Sequence, residues 1–186
     1  AVPGLEMRVV DRSSGQELGD RQVGELLIRG TSVTPGYYKN PEATAELLVD
    51  GWLHTGDLAY LLDGELVVCG RIKDVIIVGG RNIYPQDIER SAGDVAGVRP
   101  GNVIAFGADG RAGAQSIVVV AELGDAEAAT VRDLLTERIT SDIGVPPKEV
   151  VMVAKGTVPK TSSGKLQRSL AKSRWLNGEL ETAGTS

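Results

Sequence analysis

The apolar pattern of this chain changes period across a single stretch, Gly70-Arg71-Ile72-Lys73-Asp74-Val75-Ile76-Ile77-Val78-Gly79-Gly80-Arg81-Asn82-Ile83-Tyr84-Pro85-Gln86-Asp87-Ile88-Glu89, and that change constrains the fold more than any other feature. Before it, apolar and polar residues alternate with the period of half-buried strands; after it, β-branched runs interleave with segments of helical spacing. A chain of 186 residues has room for one domain, or for two small units that each bury a modest core. The stretch sets charged side chains against an apolar run and a double-glycine turn, so it reads as a pivot carrying polar functional groups.

Residues 1–70 read as mostly β. Leu5-Glu6-Met7-Arg8-Val9-Val10 and Gly24-Glu25-Leu26-Leu27-Ile28-Arg29-Gly30 form an antiparallel start. Asn40-Pro41-Glu42 places an N-cap, a proline at the first helical position and an acid in the first turn, which predicts a short helix to Leu48. Gly51 to Tyr60 then leads through Asp63-Gly64, a hairpin signal, to Glu65-Leu66-Val67-Val68.

Beyond the pivot, Pro85 opens a helix with carboxylates at its positive end. Val103-Ile104-Ala105-Phe106 and Ile117-Val118-Val119-Val120 read as buried strands, and Val150-Val151-Met152-Val153 as a third. Val131, Leu134, Leu135, Ile139 and Ile143 predict a helix over 127–143 that Gly144 and Pro146-Pro147 stop. Lys165 to Leu176 predicts a basic helix with a stripe of Leu166, Leu170 and Trp175 or Leu176, followed from Glu179 by a frayed tail. The fold class is α+β: a small β-rich unit followed by a compact α+β unit with a three-stranded sheet and flanking helices.

Composition excludes several function classes. The 20 basic and 25 acidic residues give a net charge of −5, which provides no general attraction to nucleic acid or anionic membrane. No apolar run approaches the ~20 residues of a transmembrane segment. The single Cys69 cannot pair within the chain and is expected to be a small buried apolar residue in a reducing, cytoplasmic setting. The chain begins Ala1-Val2-Pro3-Gly4, without an initiator methionine and with a strand almost at once, as expected of a fragment of a longer polypeptide. One histidine, His54, and no G-x-S-x-G elbow argue against a serine hydrolase. One Cys and one His do not make a zinc site, and no EF-hand spacing is present, so no metal is expected to be held by this chain alone.

Two groups of residues carry candidate chemistry. Gly156-Thr157-Val158-Pro159-Lys160-Thr161-Ser162-Ser163-Gly164-Lys165 has the residue types of a phosphate loop, but Pro159 stands where the first Walker glycine belongs and Leu166 where the Mg²⁺-binding hydroxyl belongs. A Ser-Ser-Gly turn just ahead of a helix still suits the delivery of one mobile cation, Lys165, to an anion; the alternative is a solvated lysine at a helix end. Asp57 and Arg71 flank the Asp63-Gly64 hairpin, which can bring an acceptor and a forked donor to the same ligand hydroxyls, or pair them with each other.

Three separated motifs, Trp52-Leu53-His54-Thr55-Gly56-Asp57-Leu58, Gly70-Arg71-Ile72-Lys73-Asp74, and Pro159-Lys160-Thr161-Ser162-Ser163-Gly164-Lys165 with Arg168, resemble in order and spacing the last three core motifs of the adenylate-forming enzymes. The resemblance covers essentially the whole chain. It implies that residues 1–72 are the β-rich end of a large N-terminal adenylation domain and residues 73–186 the mobile C-terminal domain. Asp57 and Arg71 would bind the ribose of ATP, Lys73 would be the hinge, and Lys165 would be the catalytic lysine between the substrate carboxylate and the α-phosphate. Gly79 and Gly80 would turn a hairpin toward the path of the acceptor thiol.

Arg81 with Asn82 to Glu89, Val98-Arg99-Pro100-Gly101, and Gly156 to Arg168 look like the fatty acyl-AMP ligases, whereas Ile83 matches many acyl-CoA ligases. The function implied is activation of a fatty acid with ATP to an acyl-adenylate and transfer of the acyl group to the thiol of an acyl carrier protein in polyketide, lipid or siderophore assembly. A fatty acyl-CoA ligase is the alternative, and a non-catalytic carrier-binding module the rival from another class. Mg²⁺ is implied for the whole enzyme, with its ligand outside this chain. The glycine-rich phosphate loop and the acyl pocket are also missing, so these residues alone are expected to be inactive.

Overall fold

The computed structural model of the chain describes residues 3–110 and 114–183. It contains two compact units that divide between Lys73 and Asp74.

In the first unit, β1 (Leu5–Val10) pairs antiparallel with β2 (Gly24–Gly30), and β2 with the long strand β4 (Trp52–Leu62). The other edge of β4 takes the two-residue β3 (Leu48–Val49) near its start and β5 (Glu65–Arg71) along its end. The helix α1 (Pro41–Leu47) is capped as expected: Asn40 Oδ1 accepts the Ala43 N–H at 3.0 Å, with Pro41 in the first turn. It stops one residue short of the expected end because Leu48 turns extended and pairs with Leu53. Asp63 and Gly64, at φ 52° and 84°, adopt the left-handed backbone that a two-residue hairpin needs, and this fixes the register of β4 against β5 as far as Ala59 and Val68, beyond which a bulge at Cys69 shifts it so that Arg71 faces Asp57. Because side chains alternate along β1 and β2, Val9 and Leu26 pack with Ala59 in one cluster while Val10 and Leu27 pack with Trp52 in another. Cys69, expected to be buried, is only half-buried. The strand that carries it pairs with β4 alone among the described strands and gains cover from one neighbour rather than two.

The second unit is built on a three-stranded sheet in the order β10-β9-β8, where β8 is Val98–Asp109, β9 is Gln115–Leu123 and β10 is Glu149–Val153. Strands β8 and β9 are antiparallel, while β9 and β10 are parallel and joined through α3 (Ala128–Ile143). Both β8 and β9 run well beyond the four-residue apolar runs that announce them, since a bulge between Val98 and Val103 lets the polar start of β8 keep pairing. Residues 111–113 of the turn between them, and 184–186 of the expected tail, lie outside the described residues.

Period-two alternation gives this sheet two apolar faces. Val103, Ala105, Val119 and Ala121 meet Ile88 and Ala92 of α2 (Pro85–Gly93), Val131, Leu135 and Ile139 of α3, and Ile76 and Ile83 of the hairpin formed by β6 (Ile76–Val78) and β7 (Arg81–Ile83). Ile104, Phe106, Val118 and Val120 meet Val158 and, from α4 (Arg168–Leu176), Ala171 and Trp175. Each fully buried Val, Leu or Ile side chain among these contributes roughly 1.5–3 kcal/mol.

The structure corrects several expectations. The last helix begins at Arg168, not at Lys165, because residues 160–166 close a hairpin-like loop through the Lys160–Leu166 bridge. With that start, Ala171 and Trp175, one turn apart, face the sheet, while Leu170 and Leu176 are exposed. The tail does not fray at Glu179: Ala154 N–H donates to Glu181 O and Ala183 N–H to Met152 O at 2.8 Å, so it lies along β10. Leu134, read as part of the α3 stripe, is also exposed.

Candidate active site

In the first unit the candidate residues sit on the β4–β5 hairpin. Asp57 lies directly opposite Arg71 in the strand register, and Arg71 Nε donates to Asp57 Oδ1 at 3.0 Å. Arg71 Nη2 reaches Thr55 O at 3.3 Å. Thr55 fixes the Thr55-Gly56-Asp57 turn from both sides: its hydroxyl donates to Leu26 O at 2.8 Å and accepts the Asp57 N–H at 3.0 Å. Gly56 adopts φ 70°, which a side chain would resist. The hairpin therefore makes the ion pair that the sequence left open. Asp57 Oδ2 and Arg71 Nη1 have no hydrogen-bond partner among the described residues, so both remain available to ligand hydroxyls. Lys73 follows at once, exposed, in the 3-10 turn Ile72–Asp74.

In the second unit, Lys165 closes the loop that precedes α4. Its N–H donates to Thr161 Oγ1 at 3.0 Å and its carbonyl accepts the Thr161 N–H at 2.9 Å, while Gly164, at φ 82°, makes the turn between them. The side chain is exposed, and no carboxylate pairs with it among the described residues.

Two acidic anchors hold the ends of this loop. The carboxylate of Glu122, 1% exposed, accepts the N–H groups of Gly156 and Val158 at 2.9 and 3.0 Å and pairs with Arg99 at 2.7 Å. At the other end Arg168 forks onto Glu89, Nε to Oε1 at 2.7 Å and Nη2 to Oε2 at 2.6 Å, and its Nη1 reaches Asp74 Oδ2 at 3.2 Å. Glu89 Oε1 also accepts the Ala105 N–H of β8 at 3.1 Å. The hydrogen bonds to Glu89 outweigh burial and, with the charges of Glu89 and Asp74, raise the guanidinium pKa above its ordinary value, so the fork is permanently charged.

The sequence singled out Lys165, Asp57 and Arg71 but assigned nothing to Glu122, Glu89, Asp74 or Thr55. A signal was present for Glu122: a single carboxylate ends the run Ile117 to Ala121, whose residues are buried in alternation on both faces, and a buried carboxylate needs partners. Gly79 and Gly80, at φ 56° and 77°, form the two-residue turn of the β6–β7 hairpin.

Among the described residues no three His, Cys, Asp or Glu side chains are grouped to hold a metal ion. No helix among them is long and apolar enough to cross a membrane.

Residues 73–185, more than half of the chain, match the family described as "Disco-interacting protein 2-like, AMP domain", and residues 1–38 match "AMP-binding enzyme". The chain belongs to the adenylate-forming enzymes. Rv1013 of Mycobacterium tuberculosis, provisionally named a ligase, is 43% identical over 170 residues, covering 89% of this chain and 31% of its own length. The long-chain-fatty-acid–AMP ligase FadD32 of Mycolicibacterium smegmatis is 32% identical over 214 residues, covering 92% of this chain and 34% of its own. Among solved structures, McyG A-PCP complexed with phenylalanyl-adenylate matches with a TM-score of 0.86 at 33% identity, over 95% of this chain and 28% of that one. The chain thus spans about a third of the length of the curated relatives it matches. The α+β class expected from the sequence is the fold of the solved structure it matches, and the family is one of enzymes.

Proposed function

We propose that the chain is the C-terminal part of a fatty acyl-AMP ligase. In the first half-reaction a carboxylate oxygen of the fatty acid attacks the α-phosphorus of ATP, the bond from that phosphorus to pyrophosphate breaks, and pyrophosphate leaves with the electron pair. Lys165 lies between carboxylate and α-phosphate, where its ammonium offsets the negative charge that grows in the transition state. Asp57 accepts hydrogen bonds from the ribose hydroxyls, and Arg71 donates to the same sugar. In the second half-reaction the thiol of a carrier protein's phosphopantetheine gives up its proton to solvent, its sulfur attacks the acyl carbonyl, the bond from that carbon to AMP breaks, and AMP leaves with the electron pair. Between the two, the C-terminal domain of residues 73–186 turns about Lys73, and the Gly79-Gly80 turn comes to line the thiol's path. The reaction's need for ATP supports a cytoplasmic setting.

Mg²⁺ would neutralise phosphate charge in the whole enzyme, but the donor set on the described residues does not fit a metal ion, and no step passes through one. The observation that carries this reading is Lys165 itself: an exposed ammonium with no carboxylate partner among the described residues, on a loop braced at both ends by carboxylates held in hydrogen bonds. FadD32, named for long-chain fatty acid and AMP, supports the acid and the nucleotide.

A fatty acyl-CoA ligase is the second reading, favoured by Ile83 at the end of β7. Incubating the full-length enzyme with ATP, fatty acid and either CoA or holo carrier protein separates the two. Acyl-carrier product supports the carrier protein as acceptor, and acyl-CoA as the only product overturns that choice.

A further inference from the structure

Arg168 is the first residue of α4, three positions beyond Lys165, and the fold spends its guanidinium on two carboxylates from distant parts of the sequence. Glu89, on α2, takes the planar fork through both oxygens and fixes its orientation; the same carboxylate accepts a backbone N–H from β8. Asp74, the residue directly after Lys73, takes the remaining amino group. All three side chains are mostly buried, with exposures between 10% and 17%, so the cluster is shielded from solvent and from salt screening far more than a surface pair. One guanidinium therefore connects the end of the lysine loop, a helix, the sheet and the residue next to Lys73.

We infer that Arg168 is a positioning residue for Lys165, and that its bond to Asp74 makes the backbone rigid immediately after Lys73. This inference rests on the function proposed above for Lys165 and Lys73. The fork fixes where the loop ends, and Glu122 fixes where it begins, leaving the backbone from which the lysine side chain extends at a defined point. The Asp74 bond also stops flexibility from spreading into the second unit, so that rotation is confined to Lys73 and carries the lysine loop as a solid part. Nothing in the guanidinium's own contacts would serve catalysis directly: its bonded nitrogens all face carboxylates.

The test uses the full-length enzyme. Arg168→Lys keeps the charge and loses the planar fork, which makes it safer than Arg168→Ala, a change that would strand two carboxylates. Each half-reaction is measured separately: pyrophosphate release for adenylation, and thioester formation from preformed acyl-adenylate for transfer. Hydrogen exchange is followed on peptides covering residues 159–167 and 72–78. The expected result is a fall in adenylation kcat of about tenfold to 10²-fold, the loss that follows a misplacement of about 1 Å, with transfer within about twofold of the parent and faster exchange in both peptides. Asp74→Asn is expected to speed exchange in 72–78 with a smaller loss of adenylation.

Equal loss of both half-reactions together with a lowered Tm would overturn the inference, because it would make Arg168 a general stabilising residue. Unchanged exchange in 159–167 would overturn it as well. Lys165→Ala, measured in parallel, separates this from the role of the lysine: if that variant adenylates normally, the proposed function fails, while the exchange data still decide whether Arg168 orders the loop.

Discussion

Arg168 and Glu89 stand 79 residues apart in the sequence and meet through two parallel hydrogen bonds of 2.7 and 2.6 Å. A bidentate pair at this depth resists thermal motion because both bonds must break together and both ions are largely shielded from solvent. The pair ties α2, which follows the β6–β7 hairpin, to α4, which follows the lysine loop, so the parts of the second unit that carry candidate chemistry share one anchor.

Removing one member of that pair should be costly. Glu89→Ala leaves the Arg168 guanidinium with Asp74 alone and the Ala105 N–H without its side-chain acceptor, and the expected loss is about 3–5 kcal/mol, the range for breaking a buried pair from one side. Urea denaturation of the variant and parent measures it. A loss under about 1 kcal/mol would show the cluster to be as weak as an exposed pair.

The Asp57–Arg71 pair should behave in the opposite way. Its side chains are 35% and 50% exposed, so the ion pair contributes at most about 1 kcal/mol, and Arg71→Ala should barely move the unfolding midpoint. If both residues bind ribose hydroxyls, the KM for ATP of the full-length enzyme should rise by about tenfold or more, since a hydrogen bond to a charged group contributes about 1.5–3 kcal/mol. A pair that matters only to the fold would give the reverse: a lowered Tm with KM unchanged.

Gly80 isolates a purely conformational cost. A Cβ built at Gly80 would touch nothing within 4 Å, yet its φ is 77°, so Gly80→Val should destabilise the second unit by about 1–2 kcal/mol through backbone strain alone. Gly80→Asn should recover most of the loss, because Asn tolerates the left-handed region. Equal destabilisation by Val and Asn would point to a lost contact instead.

Asp11 gives the first unit a pH dependence. The hydroxyl of Ser13, then the backbone and hydroxyl of Ser14, donate to its carboxylate and hold its pKa at about 2, against an ordinary 3.8. A depressed carboxylate pKa stabilises the folded state fully above the unfolded value of 3.8, and that contribution disappears as pH falls toward 2. Asp11→Asn should therefore lower Tm at neutral pH, and the difference from the parent should shrink steadily below about pH 4. A difference that stayed constant through that range would assign the effect to the altered hydrogen bonds rather than to charge.

Local chemistry was legible in the sequence wherever one or two residues decide it. Asn40-Pro41 starts α1, Asp63-Gly64 sets the hairpin that brings Asp57 and Arg71 to the same end, and Gly144, at φ 75°, ends α3. What stayed hidden depends on partners far along the chain. The start of α4 moved to Arg168 because residues 160–166 prefer their own hairpin-like closure, and helical spacing cannot report a competing bridge. The tail looked free by composition, yet β10 offers it an open edge. Glu122 and Glu89 became anchors only when the sheet brought loop N–H groups and Arg168 to them, and no spacing in one sequence encodes that meeting.

Lys165 separates fold from chemistry most cleanly. Its backbone closes the loop with Thr161, but its side chain is exposed and unpaired among the described residues, so Lys165→Ala should leave Tm unchanged within about 0.5 kcal/mol of stability. In the full-length enzyme the same change removes a cation from the point where charge is proposed to build. Adenylation should fall by about 10²–10³-fold, the loss typical of one transition-state donor, with larger losses expected if the lysine also orients the carboxylate. Transfer from preformed acyl-adenylate is proposed to follow the turn of the C-terminal domain that carries Lys165 away from the phosphate, so it should be largely spared. Thr161→Ala, which leaves the lysine in place but removes its hydroxyl brace, should lower adenylation by a smaller factor. If Lys165→Ala lost both half-reactions equally, the lysine would have to be assigned to binding the nucleotide in both states rather than to the transition state of the first.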